Sequence, residues 1–300
     1  MPLVWLAQVK IMPYSTVAMK YSSKSLQVLL PTLFVLLFAM TACDMRNSPA
    51  QNNDTQGQQA ESAVWKEIRP GMSYALMHLK IGVSADYKDL VTVIIDPKRY
   101  AFSVAQNPDS ESAKTIREIH EGTGSLLTFN GGFFTEEFKP TGLLISEGNK
   151  LRKPSPADLL NGILAITDEG EAKLFSNKSS LNEKKYTFAI QNGPVLLDEN
   201  SKIQISKDTG KTASRTAIGL DSQGNVVLIV LKQSLLNTDN QVTLYEFAHL
   251  LKESPEFARL DLRSVLNLDG GPSTGMMVMD QYFPEMEKVQ NVVIVKNRSA

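Results

Sequence analysis

From Val64 onward the chain is a succession of short apolar runs, each closed by a turn signal, and this rhythm limits its fold more than any other feature. Runs of this length suit strands and fall short of most helices. Residues 74–80, 90–95 and 101–105 read as an opening meander, and 142–146, 162–167 and 172–175 continue the pattern. Asp168-Glu169-Gly170-Glu171 reads as a hairpin turn, and 216–220 pairs naturally with 226–231 across the turn at 221–225. Helices are few. Residues 113–120 form a modest candidate. A clearer one starts at Thr243, where Thr243 and Glu246 make a capping-box pattern and Leu244, Phe247, Ala248 and Leu251 recur at helical spacing. His249 and Glu253 lie off that stripe and read as solvated positions. The expected class is α+β: mixed, largely antiparallel twisted sheets flanked by a few helices, with no solenoid-length repeat.

Two strand ends stand out against this background. The run 264–268 stops at Asp269-Gly270-Gly271-Pro272-Ser273-Thr274-Gly275, and the run 126–129 stops at Asn130-Gly131-Gly132-Phe133-Phe134. Paired glycines permit sharp turns and close backbone approach, while Asp269, Ser273 and Thr274 supply a carboxylate and hydroxyls. Either corner alone reads as a hairpin turn, since Asn-Gly and Asp-Gly are among the commonest hairpin signals. Two of them invite one pocket. Pro272 lacks an N–H and fixes its own φ, so the second corner does not close as a plain two-residue hairpin.

The N-terminal part reads as an address. Lys20 and Lys24 precede an apolar run over 26–42 that ends at Met40-Thr41-Ala42-Cys43, a bacterial lipobox pattern. Cys43 is the sole cysteine, so no disulfide forms within the chain, and its place after small residues points to lipid attachment. Met19 gives a signal of normal length and is a candidate start. Asp44 directly after the cysteine suggests retention in an inner membrane, facing the periplasm of a bacterial cell envelope. Residues 46–62 hold almost no apolar residues and cannot bury enough surface to fold, so they read as a tether. The expected organisation is a signal segment over 1–42, a lipidated Cys43 with a tether over 43–63, and a folded domain over 64–300.

Composition removes several function classes. A formal net charge of -1 with 42% hydrophobic residues describes an ordinary globular chain, and no dense Lys/Arg block supports nucleic-acid binding. Gly271-Pro272-Ser273-Thr274-Gly275 fits the nucleophile-elbow spacing, but a strand-like run at 276–279 follows it. His78, His120 and His249 all precede the serine, so an acyl-transfer triad is not expected. Zinc lacks a paired-histidine site. No cofactor is expected, although Asp269 with carbonyl oxygens leaves a hard cation such as calcium or magnesium open.

Four ordered motifs carry a family resemblance: Phe129-Asn130-Gly131-Gly132-Phe133-Phe134, Gln191-Asn192-Gly193-Pro194, Ser214-Arg215-Thr216-Ala217-Ile218-Gly219 and Asn267-Leu268-Asp269-Gly270-Gly271-Pro272-Ser273-Thr274. In order and spacing they resemble the phosphodiester glycosidase family, over roughly residues 74–296. One departure is visible: Pro272 stands where many members have a third glycine. The resemblance implies hydrolysis of a glycosyl phosphodiester, and the lipobox pattern separately implies that the membrane is reached through Cys43. Asp269 is the candidate catalytic carboxylate. Arg215, before the strand 216–220, is the candidate grip on phosphate, because a guanidinium can hold two oxygens at once. Asn130, Gly131, Gly132, Gln191, Asn192, Gly193, Gly270, Gly271, Ser273, Thr274 and the late Asn291 are the candidate substrate-binding residues. Glycoside cleavage commonly uses two carboxylates, and Glu136, Glu137 and Asp158 are weak candidates for the second. A phosphate leaving group needs less protonation than an alcohol, so one acid assisted by Arg215 would suffice. The competing reading is a non-catalytic lipoprotein that binds envelope glycans through the same pocket, and Pro272 is the feature that favours it.

Overall fold

The computed structural model of the chain describes residues 63–80, 87–176, 181–231 and 240–298. The signal segment, Cys43 and the tether up to Ser62 therefore lie outside the described residues. Within them, three sheets form, and every strand pair is antiparallel.

The largest sheet has seven strands, in the order β1 (Val64–Arg69), β2 (Met72–Lys80), β3 (Tyr87–Ile95), β13 (Val226–Leu231), β12 (Arg215–Asp221), β14 (Leu262–Asn267) and β11 (Val195–Leu197). A second sheet runs β16 (Gln281–Phe283), β15 (Met276–Val278), β5 (Leu127–Asn130), β17 (Asn291–Asn297) and β4 (Tyr100–Gln106). The third runs β7 (Asn149–Arg152), β6 (Leu144–Ser146), β10 (Tyr186–Asn192), β8 (Gly162–Thr167) and β9 (Ala172–Ser176).

The sequence of β13, Val-Val-Leu-Ile-Val-Leu, shows why the large sheet sits in the middle. All six side chains are buried because both faces of the strand are covered. Val226, Leu228 and Val230 face the main core, which they share with Phe102, Phe129, Leu164, Phe188 and Val293 from the other two sheets. Val227, Ile229 and Leu231 face the opposite way, onto the helices α2 (Leu244–Glu253) and α3 (Pro255–Leu260), through Phe247, Leu251 and Phe257. Strand alternation thus divides one apolar run between two cores. A third helix, α1 (Ile116–Thr123), covers the outer face of the second sheet through Ile116 and Ile119, against Met277, Val292 and Ile294.

The structure corrects several boundaries. The first helix starts at Ile116 rather than residue 113, because Thr115 and Glu118 form a capping box that ends the extended approach. Helix α3 escaped the periodicity reading because it is short, yet Ser254 caps it and Pro255 occupies its first turn, the preferred order for a helix start. Strand β7 carries no buried residue and so has no apolar pattern to read. The capping box at Thr243 and Glu246 is present as expected, and His249 Nδ1 and Glu253 Oε1 are hydrogen-bonded at 2.6 Å on the outer side of the helix.

Candidate active site

Ends of strands from all three sheets are joined by hydrogen bonds at one place. Asn130 closes β5, Asn192 closes β10 and Asn267 closes β14, while Arg215 opens β12 and Asn291 opens β17. The two glycine corners touch directly: the Asp269 N–H donates to the Gly131 carbonyl at 3.2 Å. Asn130 completes the junction. Its Nδ2 donates to the Asp269 carbonyl at 2.8 Å, and its Oδ1 accepts from Thr216 Oγ1 at 2.8 Å and from the Gly275 N–H at 3.2 Å.

Asn291 holds the other side of the first corner. Its Oδ1 accepts the Gly132 N–H at 2.7 Å, its Nδ2 donates to the Gly132 carbonyl at 3.0 Å, and its own carbonyl accepts the Gly131 N–H at 2.9 Å. A Cβ on Gly131 would overlap Asn291 Oδ1, which is why the residue must be glycine. The N–H groups of both glycines are therefore engaged within the protein. Gln191 is also committed internally: Oε1 accepts from the Leu143 and Ser155 N–H groups at 3.0 and 2.8 Å, and Nε2 donates to the Ser155 and Leu160 carbonyls at 2.8 and 2.9 Å. It fixes the 155–160 loop against β10.

The second corner is arranged differently. Gly271, at φ +61°, lies in the left-handed region that favours glycine and donates its N–H to the Ser214 carbonyl at 2.9 Å. Residues Gly271–Ser273 make one turn of 3-10 helix. Pro272 stands in the first turn, where an N–H has no partner within the helix, so proline breaks no bond there. Its carbonyl accepts the N–H groups of Met286 and Glu287 at 2.8 and 3.2 Å, which ties the segment before β17 to the corner.

A model of the phosphodiester glycosidase family matches residues 123–297, which include all four motifs. The chain belongs to the phosphodiester glycosidase family. It is 27% identical over 161 residues to the uncharacterized protein YigE of Escherichia coli, a match covering 48% of this chain and 55% of that protein. It therefore spans about half the length of the curated relative it matches. Among solved structures, a hypothetical protein from Synechocystis superposes with a TM-score of 0.62 at 15% identity, covering 80% of this chain and 64% of that one. The zebrafish N-acetylglucosamine-1-phosphodiester alpha-N-acetylglucosaminidase catalytic domain, auto-inhibited by its pro-peptide, superposes with a TM-score of 0.61 at 16% identity, covering 79% of this chain and 87% of that one. At such identities the likeness establishes the fold. Family membership supports a glycosidase-type hydrolase function.

For a member of the phosphodiester glycosidase family the group of greatest interest is the Asp269 carboxyl. The residue keeps some accessible surface, but its carboxyl is desolvated, and this raises its pKa from the usual carboxylate range to about 7. The Ser273 hydroxyl and the Gly270 N–H, the latter 2.9 Å from Oδ1, favour the charged form and oppose that rise. The negative charge of Glu287 adds to it. Glu287 was not among the carboxylates singled out from sequence. It is brought near by the Pro272 carbonyl and by Glu285, which accepts the Ile116 N–H and the Tyr282 hydroxyl at 2.8 Å each. Only the fold pairs it with Asp269; no sequence pattern does.

Arg215 lies at the edge of the same junction. Its Nε donates to the Val242 carbonyl at 3.0 Å and its Nη2 to the Lys211 carbonyl at 2.9 Å, so the cation is braced at the strand end. Ser273 is followed by β15 and donates to Asp269, an arrangement unlike a nucleophile elbow. The histidines pair elsewhere: His78 with Asp89, His120 with Thr128 and His249 with Glu253. Among the described residues no group of three or more His, Cys, Asp or Glu side chains could hold a metal ion. No helix among them is long and apolar enough to cross a membrane.

Proposed function

We propose that the protein hydrolyses the bond between a sugar anomeric carbon and a phosphodiester. The observation that carries this reading is the Asp269 carboxyl, desolvated, poised near neutral pKa and set where the family motifs meet. In its ionised form Asp269 takes a proton from water as the water oxygen bonds to the anomeric carbon. The bond from that carbon to the phosphate oxygen breaks, and its electron pair leaves with a phosphate monoester. A carboxyl with a pKa near the working pH is well matched to taking up and releasing that proton. Arg215 offsets the negative charge that grows on the departing phosphate, as fixed cations do in other phosphate chemistry. The products are a free sugar and a phosphate monoester.

Incubating the purified protein with a panel of glycosyl-1-phosphodiesters should release free sugar, with a rate that rises as Asp269 ionises. Absence of turnover across the panel, with retained glycan binding, would favour the non-catalytic reading instead.

The lipobox-like end of the apolar run supports placement at a bacterial cell envelope, through lipid on Cys43 and the tether that follows. Cys43→Ser should move the protein from the membrane fraction to the soluble envelope fraction and abolish fatty-acid labelling. Unchanged labelling would defeat the anchor.

A further inference from the structure

A cavity of about 320 Å³ opens between α3 and the strands β1, β2 and β3 of the large sheet. None of the residues that line it belongs to the four motifs. Trp65 of β1, Ser73 of β2 and Ile94 of β3 form one wall. Ser73 pairs with Ile94, and Trp65 pairs with Ala75, two residues beyond Ser73. Strand alternation therefore turns all three side chains to the face that carries α3. Glu256, Arg259 and Leu260 of α3 form the other wall. The volume lies at the lower end of the range for small-molecule sites, about 300–1,000 Å³, and so suits one small ligand.

The two walls differ in chemistry. Trp65 and Ile94 are half-buried and offer an indole and a branched aliphatic surface, with Leu260 across from them. Glu256 and Arg259 stand three residues apart on one helical face, the spacing at which a carboxylate and a guanidinium ordinarily pair. They do not pair. Neither makes an ion pair or a hydrogen bond among the described residues. Glu256 is half-buried, so its charge has lost part of its hydration without gaining a partner. A simple anion would answer Arg259 and be repelled by Glu256, and a simple cation the reverse. A neutral ligand would strip water from both charges and return no counter-charge. A zwitterion answers both.

We infer that this cavity binds a free α-amino acid with an apolar side chain, its carboxylate on Arg259, its ammonium on Glu256 and its side chain against Trp65, Ile94 and Leu260. The two charges of such a molecule sit on one carbon, as Glu256 and Arg259 sit on one helical turn. The guanidinium fork matches both carboxylate oxygens, and the ammonium has protons for Glu256 and for the Ser73 hydroxyl. The inference does not depend on the proposed hydrolysis and uses none of its residues.

The test uses the full-length protein and two probes, L-leucine and L-phenylalanine. Trp65 is the one tryptophan among the described residues, so its fluorescence reports on the cavity, and calorimetry gives the same titration without a chromophore. At least one probe should bind with a dissociation constant below about 1 mM. Trp65→Phe should abolish the fluorescence change. The N-acetyl derivative of that amino acid lacks the ammonium, its amide lacks the carboxylate, and glycine lacks the side chain. Each should bind at least about tenfold more weakly. In Glu256→Gln the N-acetyl derivative should bind no worse than the free amino acid, and in Arg259→Gln the same should hold of the amide. Neither residue bonds to the rest of the fold, so both variants should melt with the wild type.

No binding of either probe, or derivatives that bind as tightly as the free amino acid, would overturn the inference. So would binding that both variants retain in full. Binding seen only after residues 57–62 are removed would also overturn it, since the chain that leads into Ala63, itself at the cavity, would then be the occupant. Every readout is a binding measurement. Its failure leaves the hydrolase reading intact, and absence of phosphodiester turnover leaves amino-acid binding intact.

Discussion

Asn130-Gly131-Gly132 and Asp269-Gly270-Gly271 look nearly interchangeable as sequence, yet they behave in opposite ways in the fold. In the first corner both glycine N–H groups and both ends of the Asn130 amide are bonded to protein, so the corner joins β5, β12 and β17. In the second, a carboxyl is desolvated with a pKa near 7, and its neighbours hold it without neutralising it. One corner is a joint and the other holds a titratable group. Residue type at the first position decides this: an amide can satisfy a donor and an acceptor at once, whereas a buried carboxylate has only acceptors and keeps a cost that depends on pH.

The largest test of the contrast is Asp269→Asn, which makes the two corners alike. Turnover should fall by about two to four orders of magnitude, the usual range for losing a positioned acid or base, with little change in binding. Stability should move the other way. The folded-state pKa of Asp269 is raised, so its protonated form is tolerated and its ionised form is penalised. That penalty is absent below the unfolded carboxylate range, grows as the pH rises from about 4 to 7, and is complete above it. Asp269→Asn should therefore melt with the wild type below pH 4 and be more stable by roughly 2–4 kcal/mol at pH 8. Melting curves across pH check this. A variant equally active, or no more stable at pH 8, would mean that the two corners do not differ as described.

The reciprocal change acts on the joint. Asn130→Ala removes one donor and one acceptor and leaves Thr216 and the Gly275 N–H facing a cavity, with Asn130 itself fully buried. A stability loss of about 2–4 kcal/mol is expected at every pH, from unsatisfied buried groups rather than from titration. Chemical denaturation at pH 5 and pH 8 should give the same loss. A loss confined to one pH would show that Asn130 acts through the Asp269 carboxyl.

Much of this was legible in the chain. The apolar rhythm announced antiparallel sheets, the Thr243 capping box announced α2, and the two glycine corners announced strand ends that meet. What the sequence could not show was which polar groups the fold would use up. Gln191, Asn192, Asn267 and Asn291 are chemically alike on the page, and only their hydrogen-bond partners separate structural brackets from side chains with an orphaned atom. Glu287 was illegible for a related reason. Its approach to Asp269 depends on a carbonyl of Pro272 and on side-chain bonds of Glu285, which connect segments distant in sequence.

The smallest expected effect concerns Pro272, the one visible departure from the family pattern. If a backbone N–H at this position were needed by substrate, Pro272→Gly should raise turnover markedly. The geometry argues against that. Proline stands in the first turn of a 3-10 helix, where it breaks no bond, and what it contributes is a carbonyl that receives Met286 and Glu287. Glycine offers the same carbonyl, so turnover should stay within about threefold, less than ~1 kcal/mol in the barrier. Stability should fall by about 0.5–1 kcal/mol, because glycine widens the unfolded ensemble. A large gain in rate would show that the second corner acts through its backbone as well as through Asp269. A large loss of stability would show that the ring of Pro272, and not its carbonyl alone, holds the Glu287 segment in place.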